Sequence, residues 1–184
     1  MPPHLLVVSG LPAAGKTTLA TALAEQLGWP LVSKDDYKMI VLDNFPAGPV
    51  AERSRQAGKI SFEIMWQVAR VILRAGGNVV LETHFDRVLG VPPILQLAHD
   101  YGAALSQIFC EAPLPELERR HAERVAAGTR LGIDLPDIHK TLPPTANREP
   151  LELGNVPLLR LDTTKPATIE RAVSWVQGLS KLAP

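Results

Sequence analysis

The sequence predicts an α/β fold, a three-layer sandwich in which helices cover both faces of a parallel sheet. Three observations carry this. Short apolar runs alternate with longer helical patterns through the 184 residues, and strand–helix–strand repetition is how parallel strands are joined. Val79-Val80-Leu81 is apolar without alternation, as a strand buried on both faces requires. The first apolar run leads at once into Gly10-Leu-Pro-Ala-Ala-Gly15-Lys16-Thr17-Thr18, a glycine-bounded turn between a strand and a helix.

Leu5 to Ser9 reads as the first strand and Lys16 to Leu27 as the first helix, stopped by Gly28. Leu31 to Ser33 is the second strand, with Asp35 to Leu42 helical behind it. Asp43 to Lys59 contains Pro46, Gly48, Pro49 and Gly58, so an irregular binding loop or lid is expected there. Ser54 to Ala75 has helical periodicity ending at Gly76-Gly77, and Asn78 to Glu82 is the third strand. Val88 to Tyr101 follows as a helix stopped by Gly102, then Ala104 to Cys110 as the fourth strand. Leu114 to Ala127 is helical up to Gly128, Thr129 to Glu149 irregular, and Val156 to Leu161 the last strand. Pro166 opens a final helix that runs through Trp175 to about Leu182.

At this length one domain, residues 1–184, is expected. Lys plus Arg and Asp plus Glu each number 19, so the formal charge is zero and no global field draws the chain to nucleic acid. Hydrophobic residues at 46% and charged residues at 21% argue against disorder. Cys110 is the single cysteine; no internal disulfide can form, and a small buried thiol is the expected role. The start, Met-Pro-Pro-His, carries no basic leader, and no apolar run approaches the ~18 residues of a membrane span. A cytoplasmic protein with no membrane association is therefore expected, of an oligomeric state the sequence does not indicate.

The spacing Gly10-x4-Gly15-Lys16-Thr17 is a phosphate-binding loop with its required context, a strand before and a helix after. Gly10, Ala13, Ala14 and Gly15 would curl the backbone around a phosphate, and the helix N-terminus would add its positive dipole end. Lys16 would reach the β- and γ-phosphates of ATP, Thr17 would ligand Mg²⁺, and Thr18 would contact the α-phosphate.

Holding, hydrolysing and transferring phosphate all use such a loop. The Asn-Lys-x-Asp segment of a GTPase and the Leu-Ser-Gly-Gly signature of a transport ATPase are both missing. Ser33-Lys34-Asp35-Asp36-Tyr37-Lys38 follows the second strand, where a carboxylate can face the γ-phosphate and accept the proton of an attacking hydroxyl. Asp35 or Asp36 could be that base, the other capping the helix. Lys38, three residues beyond Asp35, could steady the substrate or pair with the acid. Glu82 ends the third strand, placed to orient Mg²⁺, and His84 could approach the substrate. On Leu114 to Val125, Arg119 can pair with Glu123 and Glu116 with Arg120. Arg120 and Arg124 share a helical face, which is unfavourable unless an anion lies between them. Arg124 is the expected stabiliser of charge on the transferring group, with Arg120 in support.

These motifs resemble those of the phosphate-loop kinases grouped around the 5′-kinase domain of polynucleotide kinase, with the zeta toxins and chloramphenicol phosphotransferase as neighbours. Gly10 to Thr18 matches the nucleotide loop, and Ser33 to Lys38 resembles the group's basic-Asp-Asp-aromatic-basic motif, whose first acid is the base. That implies Asp35. Arg120 and Arg124 resemble the group's paired lid arginines. The resemblance implies a phosphate-loop NTPase fold with five parallel strands in the order 2-3-1-4-5 and a helical lid, here about 115–149. Glu82 stands where the group often has aspartate, and Lys38 where it often has arginine.

The expected activity is an ATP-dependent, Mg²⁺-assisted kinase acting on a hydroxyl of a small molecule. A polynucleotide or nucleoside 5′-hydroxyl kinase gripping its substrate with Arg53, Arg55 and Lys59 is the alternative within the class. It is less favoured, since no basic-aromatic stripe appears. An ATP-binding switch or toxin-like protein is the alternative outside it. Phe45, Trp66 and Phe85 are candidates to line the acceptor pocket, although Trp66 shares helical spacing with Phe62 and Ala69 and suits the core.

Overall fold

The computed structural model describes residues 2–44, 48–128 and 137–180. Its strands are β1 (His4–Gly10), β2 (Leu31–Ser33), β3 (Val79–Glu82), β4 (Ala104–Glu111) and β5 (Leu158–Asp162). Its helices are α1 (Lys16–Leu27), α2 (Lys34–Asn44), α3 (Val50–Arg74), α4 (Arg87–Asp100), α5 (Leu114–Ala127), α6 (Ile138–Thr141) and α7 (Thr168–Ser180). All four strand pairings are parallel, and the order is β2-β3-β1-β4-β5. Phosphate-loop kinase topology is thus present as the motifs implied.

Central strand β1 is buried along its whole length, and its side chains alternate between two cores. Leu6 and Val8 join Leu19 and Leu23 of α1 and Val176 of α7 on one face. On the other, Leu5 and Val7 meet Met65 and Leu73 of α3 and Ile94 of α4. A period of two along the strand sends consecutive residues to opposite helical layers.

The starts of two helices differ from those expected. The middle segment is irregular over a shorter stretch than its prolines and glycines suggest, because α3 already begins at Val50, behind Pro49 at its cap. Gly58 costs a helix interior about 1 kcal/mol, a cost outweighed by the buried side of the helix at Ala57, Ser61 and Met65. The final helix begins at Thr168, not at Pro166. Trp66 and Phe85 are buried and stacked, with ring centroids 6.2 Å apart. They build the core between α3 and the sheet. Phe45, Thr129 and Arg130 lie outside the described residues.

The turn into the phosphate loop depends on the absence of a side chain at Gly10. Its φ is +139°, and a Cβ there would lie 2.2 Å from the carbonyl oxygen of Cys110 on β4. Gly10→Ala is expected to destabilise the fold by about 3 kcal/mol or more, since neither backbone can yield without breaking strand pairing. A urea melt showing an unchanged midpoint would contradict this. Cys110 itself is buried and its thiol is pushed up to about 12, desolvation being the main cause, so it is an inert core residue.

Candidate active site

The carboxyl ends of β1, β2 and β3 meet at one edge of the sheet, and the loop after β1 rises over them. Ala13 at φ 64° and Gly15 at φ 81° adopt the left-handed conformation, which turns the loop back toward α1. Ala13 is not glycine, so the loop stores backbone strain of the kind found at ligand sites. The Ala14 N–H donates to the Leu11 carbonyl at 3.1 Å, and its side chain packs in the core. Gly10 and Ala14 therefore shape the loop from beneath. The start of α1 has neither a side-chain cap nor an acidic residue in its first turn, leaving its positive dipole end uncompensated.

A cavity of about 810 Å³ opens above this helix start. Gly15, Lys16, Thr17 and Thr18 line one flank, Arg120 and Arg124 the other. The two arginines therefore share a cleft, as their spacing required. Arg120 donates from Nε to Glu116 at 2.7 Å and from Nη1 to the Thr163 hydroxyl at 2.9 Å. Thr163 lies just past β5, where a Cβ on Gly15 would touch its side chain at 3.4 Å. The arginine is thus fastened directly beside the phosphate loop. Arg119 pairs outward with Glu116 and Glu123 at 2.7 and 2.6 Å, which accounts for it as a surface residue.

Lys16 is buried and donates from Nζ to the Leu11 carbonyl at 2.8 Å. Burial pushes its ammonium below the ordinary lysine range; the carboxylates of Glu82 and Asp35 oppose this shift, while Arg124 adds to it. The charges of Glu82, Asp35 and Arg124 thus all act on the loop lysine. Asp35 is half-buried and accepts from Lys34 Nζ at 3.3 Å. Asp36 is exposed and acts on the Tyr37 hydroxyl, whose pKa it raises after desolvation. Of the pair, Asp35 is the one whose charge acts on the loop lysine.

Glu82 is buried at the end of β3, where the parallel register sets it opposite Ser33 of β2. Ser33 Oγ donates to Glu82 Oε2 at 2.9 Å, and Thr17 Oγ1 lies 3.5 Å from Oε1. Hydroxyl and carboxylate oxygens with no nitrogen or sulfur suit a hard divalent cation such as Mg²⁺. Lys38 is buried between α2 and α3, donating to the Ser54 hydroxyl at 2.7 Å. Its ammonium is a packing element of this helix pair, so a role in touching substrate is not what its placement favours. Arg53 donates to the Leu42 carbonyl at 3.0 Å in the same region, while Arg55 and Lys59 are exposed.

His84 approaches the base of the loop, its Nδ1 3.3 Å from the Gly10 carbonyl oxygen. A carbonyl only accepts, so Nδ1 carries the proton. Burial first, then the charge of Lys16, drives its pKa down to about 4. A histidine depressed in the fold binds protons more weakly there than in the unfolded chain. Its stabilising contribution is whole above about 6.5 and is lost as pH falls toward 4, up to about 3 kcal/mol. Relative to the wild type, His84→Gln is expected to flatten the decline in stability between these pH values. Parallel declines in denaturant titrations of the two proteins would refute that.

Thr163 as an anchor for Arg120 and Ser33 as a partner for Glu82 escape sequence reasoning, because each contact spans more than forty residues. Among the described residues no helix is long and apolar enough to cross a membrane.

A family described as an AAA domain matches residues 5–137. The chain is 32% identical to a candidate kinase from Chloroflexus aurantiacus j-10-fl, with a TM-score of 0.85 over 97% of this chain and 98% of that one. It is 28% identical over 183 residues to a probable adenylyl-sulfate kinase of Aeropyrum pernix, covering 95% of this chain and 90% of the relative. The Mycobacterium tuberculosis APS kinase in complex with AMPPNP and APS shares the fold, at 19% identity and a TM-score of 0.60 over 98% of this chain and 99% of that one.

Proposed function

The chain belongs to the AAA domain family of phosphate-loop, kinase-like proteins, and from that premise we propose that it is an ATP-dependent kinase of a small-molecule hydroxyl. One observation carries the reading. A half-buried carboxylate, Asp35, acts on the charge of the phosphate-loop lysine, and that lysine lines one cleft with Arg120 and Arg124. Hydrolysis by a switch protein needs no such acid on the second βα turn.

In the proposed reaction the acceptor oxygen forms its bond to the γ-phosphorus as the bond to the β–γ bridging oxygen breaks. Asp35 takes the hydroxyl proton, and ADP leaves with the bridging oxygen. Lys16 and Arg124 neutralise the equatorial oxygens, and Arg120, braced by Glu116 and Thr163, supports them. Such transfers are catalysed mainly by positioning and electrostatics. His84 acts through the loop, keeping the Gly10 carbonyl in place, and not on the acceptor.

Thr17 and Glu82 would hold Mg²⁺, which supplies charge neutralisation between the β- and γ-phosphates when bound. Ser33 fixes the Glu82 carboxylate. Glu82→Gln is expected to raise the Mg²⁺ concentration for half-maximal transfer by about tenfold or more. An unchanged magnesium titration would remove Glu82 from this role.

A small acceptor fits better than a polynucleotide for two reasons. The balanced charge provides no field for a polyanion, and the adenylyl-sulfate kinase relative acts, by its name, on a small molecule. The decisive screen measures Mg-ATP consumption against alcohols, sugars, nucleosides, antibiotics and 5′-hydroxyl oligonucleotides. Phosphorylated product from one small-molecule class is expected; turnover confined to oligonucleotides, or none with any acceptor, would overturn the proposal.

A further inference from the structure

One turn before Arg124 on α5 stands His121, a buried imidazole on a helix otherwise rich in arginine and glutamate. Arg124 Nη2 lies 3.3 Å from His121 Nδ1. A guanidinium has only donors and keeps its charge. Nδ1 must therefore offer its lone pair, and the ring proton sits on Nε2. His139 of α6 meets it edge to face, with centroids 5.7 Å apart and an interplanar angle of 83°. His121 lines a second cavity, of about 440 Å³, that it shares with His139, while Arg124 lines the cleft of the phosphate loop. The contact between them thus joins the side of the helix that lines the second cavity to the adjoining side that lines the cleft of the phosphate loop.

A long guanidinium left to itself samples many rotamers, and each must be frozen out before it can meet a transferring phosphoryl group. Fixing it during folding moves that entropic cost out of the reaction. Arg120 has such bracing from Glu116 and Thr163; for Arg124 the imidazole is one such brace. We propose that neutral His121, protonated on Nε2, is a positioning residue that holds Arg124 aimed at the terminal phosphoryl group. This rests on the reading of Arg124 as the residue that neutralises that group.

The acceptor being unidentified, the probe is Mg-ADP with and without aluminium fluoride, a mimic of the transferring group. The ratio of the two affinities, measured by calorimetry on the full chain, isolates contacts to the terminal position. Arg124→Ala and His121→Leu are each expected to lower that ratio by about tenfold or more, the worth of a charge-assisted contact. His121→Asn, whose Oδ1 stands near the place of Nδ1, should recover most of it. In an Arg124→Ala background, His121→Leu should cause no further loss. An unchanged ratio in Arg124→Ala would dispose of the arginine's assigned role and of this proposal with it. A lowered ratio in Arg124→Ala beside an unchanged one in His121→Leu would overturn the proposal alone, as would equal losses from His121→Leu in both backgrounds. If His121→Leu does not fold, His121→Gln takes its place, since its amide reaches past the Nδ1 position; a ratio equal to that of His121→Asn would then overturn the proposal.

Discussion

Lys16→Ala is expected to reduce phosphoryl transfer by about 10³-fold or more while leaving the fold as stable as before, or more so. The two halves of this expectation have one cause. The Lys16 ammonium is 8% exposed and held against the Leu11 carbonyl at 2.8 Å, and burial pushes its pKa down despite the opposing charges of Glu82 and Asp35. Such a charge is costly in the empty protein and becomes useful only beside phosphate. Removing it relieves the folded state and disables the reaction together. Melting temperature and transfer rate on the same preparation test this. A large fall in melting temperature would show that the lysine is a structural member of the loop, and that the lost activity says nothing of catalysis.

Asp35→Asn should lower transfer by about 10²- to 10⁴-fold, the usual worth of a general base, with ATP affinity little changed. Asparagine keeps the shape and can still meet Lys34, 3.3 Å away in the wild type, but it cannot take a proton. Asp36→Asn serves as the comparison, since Asp36 is exposed and acts on Tyr37. Its expected effect is small. A rate loss in Asp36→Asn with none in Asp35→Asn would exchange the two assignments. A protein that used ATP as a switch would keep its partner binding in both variants.

Much of this was legible because it is local. The phosphate loop, the helix it opens and the acids after β2 are contiguous in sequence, and their spacing alone dictates their shape. Arg120 and Arg124 could be grouped because four residues on a helix return to the same face. The meeting of Thr17, Ser33 and Glu82 was only half readable. Glu82 could be placed at a strand end, but its contact with Ser33 follows from β2 lying beside β3, and that strand order came from the resemblance. Thr163 carries no motif, and only the closure of β5 against β4 brings it beneath Arg120. Proline and glycine signals misplaced the start of α3, since burial of one helical side outweighed them. Phe85 sits three residues beyond β3 and was a candidate to line the acceptor pocket, yet Trp66 of α3 packs against it in the core.

Transfer by this chain requires the Asp35 carboxylate to confront the terminal phosphoryl group held over Lys16. A crystal structure of this chain with Mg-AMPPNP measures that directly. One Asp35 oxygen is expected across a gap from the γ-phosphorus that admits a single hydroxyl, which would then stand about 3–3.5 Å from phosphorus. Asp35 and Asp36 both turned from the cleft, with no other carboxylate facing the γ-phosphate, would contradict it and leave a nucleotide-binding protein without its base.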